Sequence, residues 1–169
     1  MIYEIKTCYA VKKFNKHELL KDLALNSIAN DPTYGPYENI TKTDWLVDSK
    51  YNRVYMSYLS DILLELKVAY LEMGYSNFNV VNYWFQQYEN NSFHDWHIHN
   101  DCNFSNVYYL ELPNSCVATE IKDSSNVVFT PNVKEGDILM LPAHIAHRSP
   151  VNKTGNRKTV IVFNTNVYI

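Results

Sequence analysis

Glu135-Gly136-Asp137-Ile138-Leu139-Met140-Leu141-Pro142-Ala143-His144-Ile145-Ala146-His147-Arg148-Ser149-Pro150-Val151 is the stretch that decides the fold. A turn (Glu135-Gly136-Asp137) leads into an apolar run that Pro142 closes, and a second short run starts at His147. A bounded apolar run this short reads as a buried strand. The same rhythm extends outward on both sides, with strands expected over 78–88, 96–101, 106–112, 117–121, 127–130, 137–141, 147–151 and 158–167. Turn chemistry separates them, as in Pro113-Asn114-Ser115 and Asn152-Lys153-Thr154-Gly155-Asn156. About eight short strands at this spacing predict a sandwich or barrel.

The chain changes character near Gly74, and upstream the patterns are mostly helical. A strand is expected over 2–14. Asn15, with Glu18 three residues on, then predicts a capping box for a helix over 15–29, with Leu19, Leu20, Leu23 and Leu25 in the core. Pro32, Gly35 and Pro36 make 30–43 a loop. A longer helix over 52–73 carries an apolar stripe, Tyr55, Leu59, Ile62, Leu66, Ala69 and Met73, and Gly74 stands where a left-handed cap belongs. The expectation is one domain over 1–169, with 1–75 supporting a β core over 76–169 and the helices covering one outer face.

With 169 residues, 46% of them hydrophobic, the chain can bury a core and does not read as disordered. The 14 tyrosines suit half-buried strands. A net charge of −3 without a basic block argues against nucleic acid as the main partner. Cys8, Cys102 and Cys116 are odd in number and form no CxxC pair, which predicts free thiols rather than disulfides or structural zinc. No run suggests a signal peptide or a membrane span, so the expected location is the cytoplasm.

Five of the 6 histidines fall in two clusters, and His17 stands apart. In a strand, His97, His99 and Asp101 would share one face while Trp96 and Ile98 take the other. Imidazole and carboxylate ligands on one face leave open positions on a metal such as iron(II), whereas a closed zinc site favours thiolates or four protein ligands. His147 lies about 50 residues on, a separation a barrel can close. Arg157 opens the last strand, in phase with Thr159, Ile161 and Phe163, a face expected to line the barrel interior. A guanidinium there can grip a carboxylate through two parallel bonds, and the Thr159 hydroxyl can add a third.

His97-x-His99, then Ser105-Asn106-Val107-Tyr108-Tyr109-Leu110, then Gly136-Asp137-x3-Leu141-Pro142-x4-His147, then Pro150-x6-Arg157-x-Thr159-x3-Phe163-Asn164 resembles the 2-oxoglutarate/iron(II) oxygenases, distant relatives of the prolyl hydroxylases. The resemblance covers about half the chain. It implies a double-stranded β-helix, or jelly roll, with N-terminal helices packed on the major sheet and iron(II) inside one end. It also implies 2-oxoglutarate as co-substrate, dioxygen, and an unidentified substrate, a protein side chain or a small molecule. On this pattern the metal falls to His97, His99 and His147, the far carboxylate of 2-oxoglutarate to Arg157 with Thr159, and a further co-substrate contact to Tyr109 or Tyr108. The sequence departs from the HxD pattern, because His99 stands where the carboxylate belongs. Either three histidines bind iron, or the register shifts and His99-Asn100-Asp101 supplies the motif with Asp101 as the ligand. His94 and His144 are expected at the rim or the surface. A cupin-like three-His enzyme without 2-oxoglutarate and a non-catalytic jelly-roll protein are the alternatives.

Overall fold

The computed structural model describes residues 9–169. The strand expected over 2–14 is seen there as β1 (Ala10–Lys13), and its earlier part lies outside the described residues. Then come α1 (His17–Asn30), β2 (Gly35–Tyr37), β3 (Ile40–Thr43), α2 (Tyr55–Leu59) and α3 (Ile62–Glu72). The β region follows: β4 (Asn77–Tyr88), β5 (His94–His97), β6 (Phe104–Glu111), β7 (Glu120–Lys122), β8 (Val128–Phe129), β9 (Asp137–Pro142), β10 (His147–Ser149) and β11 (Lys158–Tyr168).

The strands form a 7-stranded sheet, β1-β9-β6-β11-β4-β3-β2, and a 4-stranded sheet, β5-β10-β7-β8, both antiparallel. This is the mainly β, jelly-roll architecture with flanking helices expected from the sequence. β6, β9, most of β11 and the second half of β4 are buried on both faces, and alternation sorts their side chains into two cores. Phe85, Tyr108, Ile138, Ile161 and Phe163 pack against the helices with Tyr55, Leu66 and Tyr70. Trp84, Tyr109, Leu139, Val160 and Val162 face the other way and pack with Ile121 of the smaller sheet.

The helical region departs from expectation in detail. Asn15 does not cap α1; its side chain bonds Glu65 at 3.0 Å, and the first helix buries His17, Ala24 and Ile28. Leu19 and Leu23 are exposed instead of core, because α1 offers the sheet only a narrow stripe. The helix expected over 52–73 breaks into α2 and α3 while keeping its buried stripe from Tyr55 to Ala69; Met73 is exposed. Gly74 has the left-handed φ of +93° that the cap requires. The expected loop over 30–43 contains β2 and β3, which extend the large sheet past Gln86 and Gln87 of β4. No helix among the described residues is long and apolar enough to cross a membrane.

Candidate metal centre

β5 and β10 are neighbours in the smaller sheet, and their register places His147 directly opposite His97. Directly opposed side chains on one face of a strand pair meet, and these two imidazole centroids lie 4.4 Å apart. β5 ends at His97, so strand alternation does not place His99; its backbone N–H is tied to the Ala143 carbonyl at 2.9 Å, beyond the end of β9. The result is one group, His97, His99 and His147, whose candidate ligand atoms all lie within 4.8 Å of one another. Asp101 is exposed at the mouth of the adjoining pocket and is not part of that group.

The imidazoles suit a divalent metal. Nδ1 of His97 lies 2.7 Å from the Asp95 carbonyl, and Nδ1 of His147 lies 2.8 Å from the Ile145 carbonyl. A carbonyl only accepts, so each Nδ1 carries the proton and each Nε2 presents a lone pair. Burial and the neighbouring rings push the histidines down, His99 and His94 to about 4 and His147 to about 3; burial lowers His97 too. At neutral pH no proton need leave before a metal binds. His94 stacks on His97 at 4.0 Å and lines the pocket beside the site, and His144 is exposed.

The face assigned to Arg157 needs correction. Ile161 and Phe163 pack on the helices rather than lining the barrel interior, and Thr159, with Arg157 just before β11, turns to Glu111 of β6. Arg157 makes the two-bond grip expected of it with Glu111, at 2.8 and 3.0 Å, and Thr159 donates its hydroxyl to the same carboxylate. Tyr109 does face between the sheets, but its hydroxyl accepts from the Thr119 N–H at 3.2 Å. Tyr108 points to the helix side, against His17.

The interior face of β11 carries Lys158, Val160 and Val162, and there stands the cation that the sequence reading passed over. Lys158 is 1% exposed and lines the same cavity as His97, His99 and His147. Its ammonium donates to Ser149 Oγ at 2.8 Å, lies 5.1 Å from the centre of the Tyr88 ring, and belongs to none of the ion pairs among the described residues. Burial pulls it down to about 7. The available signal was its phase with Val160 and Val162, yet both faces of β11 are apolar, so periodicity alone could not mark the interior.

No family model matches the chain, and no curated protein matches it. Solved structures do. A prolyl-4-hydroxylase from Pseudomonas putida superposes with a TM-score of 0.61 at 14% identity, covering 94% of this chain and 92% of that one. The viral collagen prolyl hydroxylase of Paramecium bursaria Chlorella virus-1, solved as its 2OG complex, gives 0.62 at 11% identity over 95% and 96%. An oxidoreductase of the 2OG-Fe(II) oxygenase family from Burkholderia pseudomallei gives 0.63 at 12% identity over 86% and 77%. The chain therefore has the double-stranded β-helix fold of these oxygenases.

Proposed function

We propose that the protein is a non-haem iron(II), 2-oxoglutarate-dependent oxygenase that hydroxylates a protein side chain or small molecule. In this reading His97, His99 and His147 hold the metal, and Lys158, in place of Arg157, receives the far carboxylate of 2-oxoglutarate. One observation carries it: three neutral imidazoles and one buried, unpaired ammonium line a single cavity inside this fold. A buried charge without a counter-charge is costly, and a dicarboxylate chelating the metal would supply that counter-charge.

Iron, when bound, supplies the oxygen activation; the chain supplies position and environment. The Asp95 and Ile145 carbonyls hold His97 and His147 in the tautomer that ligates. Lys158 orients the co-substrate from the far end and regains its full charge as the anion arrives. Val107, Val160 and Val162 keep the chamber apolar and limit water. Thr159 and Arg157 keep their bonds to Glu111, and Tyr109 has no part in co-substrate binding.

A second reading, a three-His metalloenzyme without 2-oxoglutarate, is favoured by the size of the inner cavity. At about 30 Å³ it has room for about one water. On the first reading, lining side chains must move to admit the dicarboxylate, among them Gln86, held by the Tyr88 hydroxyl at 2.7 Å, and Arg148, held by Glu120 at 2.6 Å. Anaerobic titration separates the readings. Iron(II) should bind tightly, 2-oxoglutarate should bind only with iron present, and a charge-transfer absorption should need both. Iron uptake with no response to 2-oxoglutarate selects the second reading, and no iron uptake removes both.

A further inference from the structure

A second, larger pocket of about 330 Å³ opens beside the histidines. Its mouth carries Glu38 and Asp101, both exposed and neither in an ion pair among the described residues. No Lys or Arg lines it. Tyr37, Trp45 and Trp84 supply aromatic surface, with Trp45 edge-on to Trp84 at 4.5 Å. Trp84 in turn stacks on His99, the centroids 5.9 Å apart and the planes 18° from parallel. The pocket therefore runs from an acidic, aromatic mouth to the candidate metal ligands.

One polar atom in its lining is left over. Nε1 of Trp84 is buried without a hydrogen-bond partner, on a residue 4% exposed, whereas the Asn164 side chain is turned to His99, whose proton affinity it raises. Buried polar groups nearly always find partners, and an orphan costs about 1–3 kcal/mol. An indole N–H only donates, so an acceptor such as an amide carbonyl satisfies it. Aromatic faces and carboxylates without a cation of their own attract an organic cation.

We propose that this pocket binds a substrate carrying a positive charge and an amide: the ammonium or guanidinium lies at the mouth between Glu38, Asp101 and the aromatic rings, and the amide carbonyl accepts from Trp84 Nε1. A lysine or arginine residue within a peptide has this chemistry, as does a small amide of a diamine or basic amino acid. Calling the ligand a substrate rests on the oxygenase reading above; the binding itself does not.

The test is calorimetric titration of metal-free protein with Nα-acetyl-lysine methylamide, its Nε-acetylated neutral form, Nα-acetyl-glutamate methylamide and butylamine. The cationic amide should bind at least about tenfold more tightly than the neutral and acidic forms. Added salt should weaken it, because the mouth is exposed. The double variant Glu38→Gln, Asp101→Asn should lose that preference, and Trp84→Phe, which keeps a ring and removes the donor, should weaken the amide more than butylamine. Butylamine bound as tightly as the amide would overturn the amide half of the proposal. Equal binding of the neutral form, or no binding of any cationic probe, would overturn the whole. Cation binding by a protein that takes up no iron upholds this inference and overturns the oxygenase reading; iron and 2-oxoglutarate uptake with no preference for cations does the reverse.

Discussion

Replacing Lys158 with methionine keeps an unbranched side chain of similar length and removes the charge. The wild-type ammonium is drawn from its ordinary 10.5 to about 7 by burial, with the Glu120 charge opposing it. At about 1.4 kcal/mol for each tenfold change in proton affinity, that displacement amounts to about 5 kcal/mol as an upper bound on the cost of keeping Lys158 charged inside the fold. The pH window follows from the two values. Between about pH 7 and 10.5 the unfolded chain holds a proton that the folded chain has lost, so this group makes stability rise with pH through the window. Below about pH 7 both states are protonated and the full penalty stands. Without co-substrate, Lys158→Met should be more stable than wild type near neutral pH, by a few kcal/mol, and its stability should lack the rise above about pH 7. With iron and 2-oxoglutarate the order should change, because the dianion removes the penalty from the wild type only, and 2-oxoglutarate affinity should fall by more than about tenfold in the variant. Urea unfolding across this pH range, with and without both ligands, measures each effect. A variant that is less stable at neutral pH, or equally stabilised by 2-oxoglutarate, would refute the assignment of Lys158.

Arg157→Ala should leave 2-oxoglutarate affinity within about twofold of wild type in a titration with iron present, and should reduce stability by only about 1 kcal/mol, since the Arg157–Glu111 pair is partly solvated. His99→Ala should cut iron affinity by more than about tenfold while Asp101→Ala changes it little; metal analysis after dialysis distinguishes them, and equal loss would restore the carboxylate reading. Gly136→Ala should destabilise by about 1–3 kcal/mol in urea, because φ is +86° there and the added Cβ would lie 3.0 Å from the His17 ring.

The strands were legible because their signal is local. Turn clusters bracket β6, β9 and β11 in the sequence, and their expected bounds fall within two residues of those observed. β2 and β3 were not legible, because Gly35 and Pro36 carry loop chemistry that only the pairing of β2 with β3, and of β3 with Gln86 and Gln87 of β4, overrides. The exposure of Leu19 and Leu23 is likewise decided by how much of α1 the sheet reaches, which no pattern within the helix records.

The site divides along the same line. His97 and His147 were readable as a pair because each sits on a strand, and their direct opposition in the register brings them together. A guanidinium at a strand start has the right chemistry for a carboxylate wherever one stands, and Arg157 grips that of Glu111. Period-two alternation makes a one-residue difference a change of face. Val160, Ile161, Val162 and Phe163 are all buried, so the sequence of β11 offers no polar side from which to orient the strand. The face is set instead by its neighbours: β4 sends Trp84, Gln86 and Tyr88 into the interior, and β11, paired with β4 in register, sends Lys158 there beside Tyr88. The cation that shares the cavity with the histidines is thus placed by sheet pairing and not by spacing from His147. For that reason, exchanging the residues at 157 and 158 (Arg157→Lys with Lys158→Arg) should keep 2-oxoglutarate binding, whereas Lys158→Met alone should lose it; survival of binding in Lys158→Met but not in Arg157→Ala would show that the interior face of β11 has been assigned to the wrong residue.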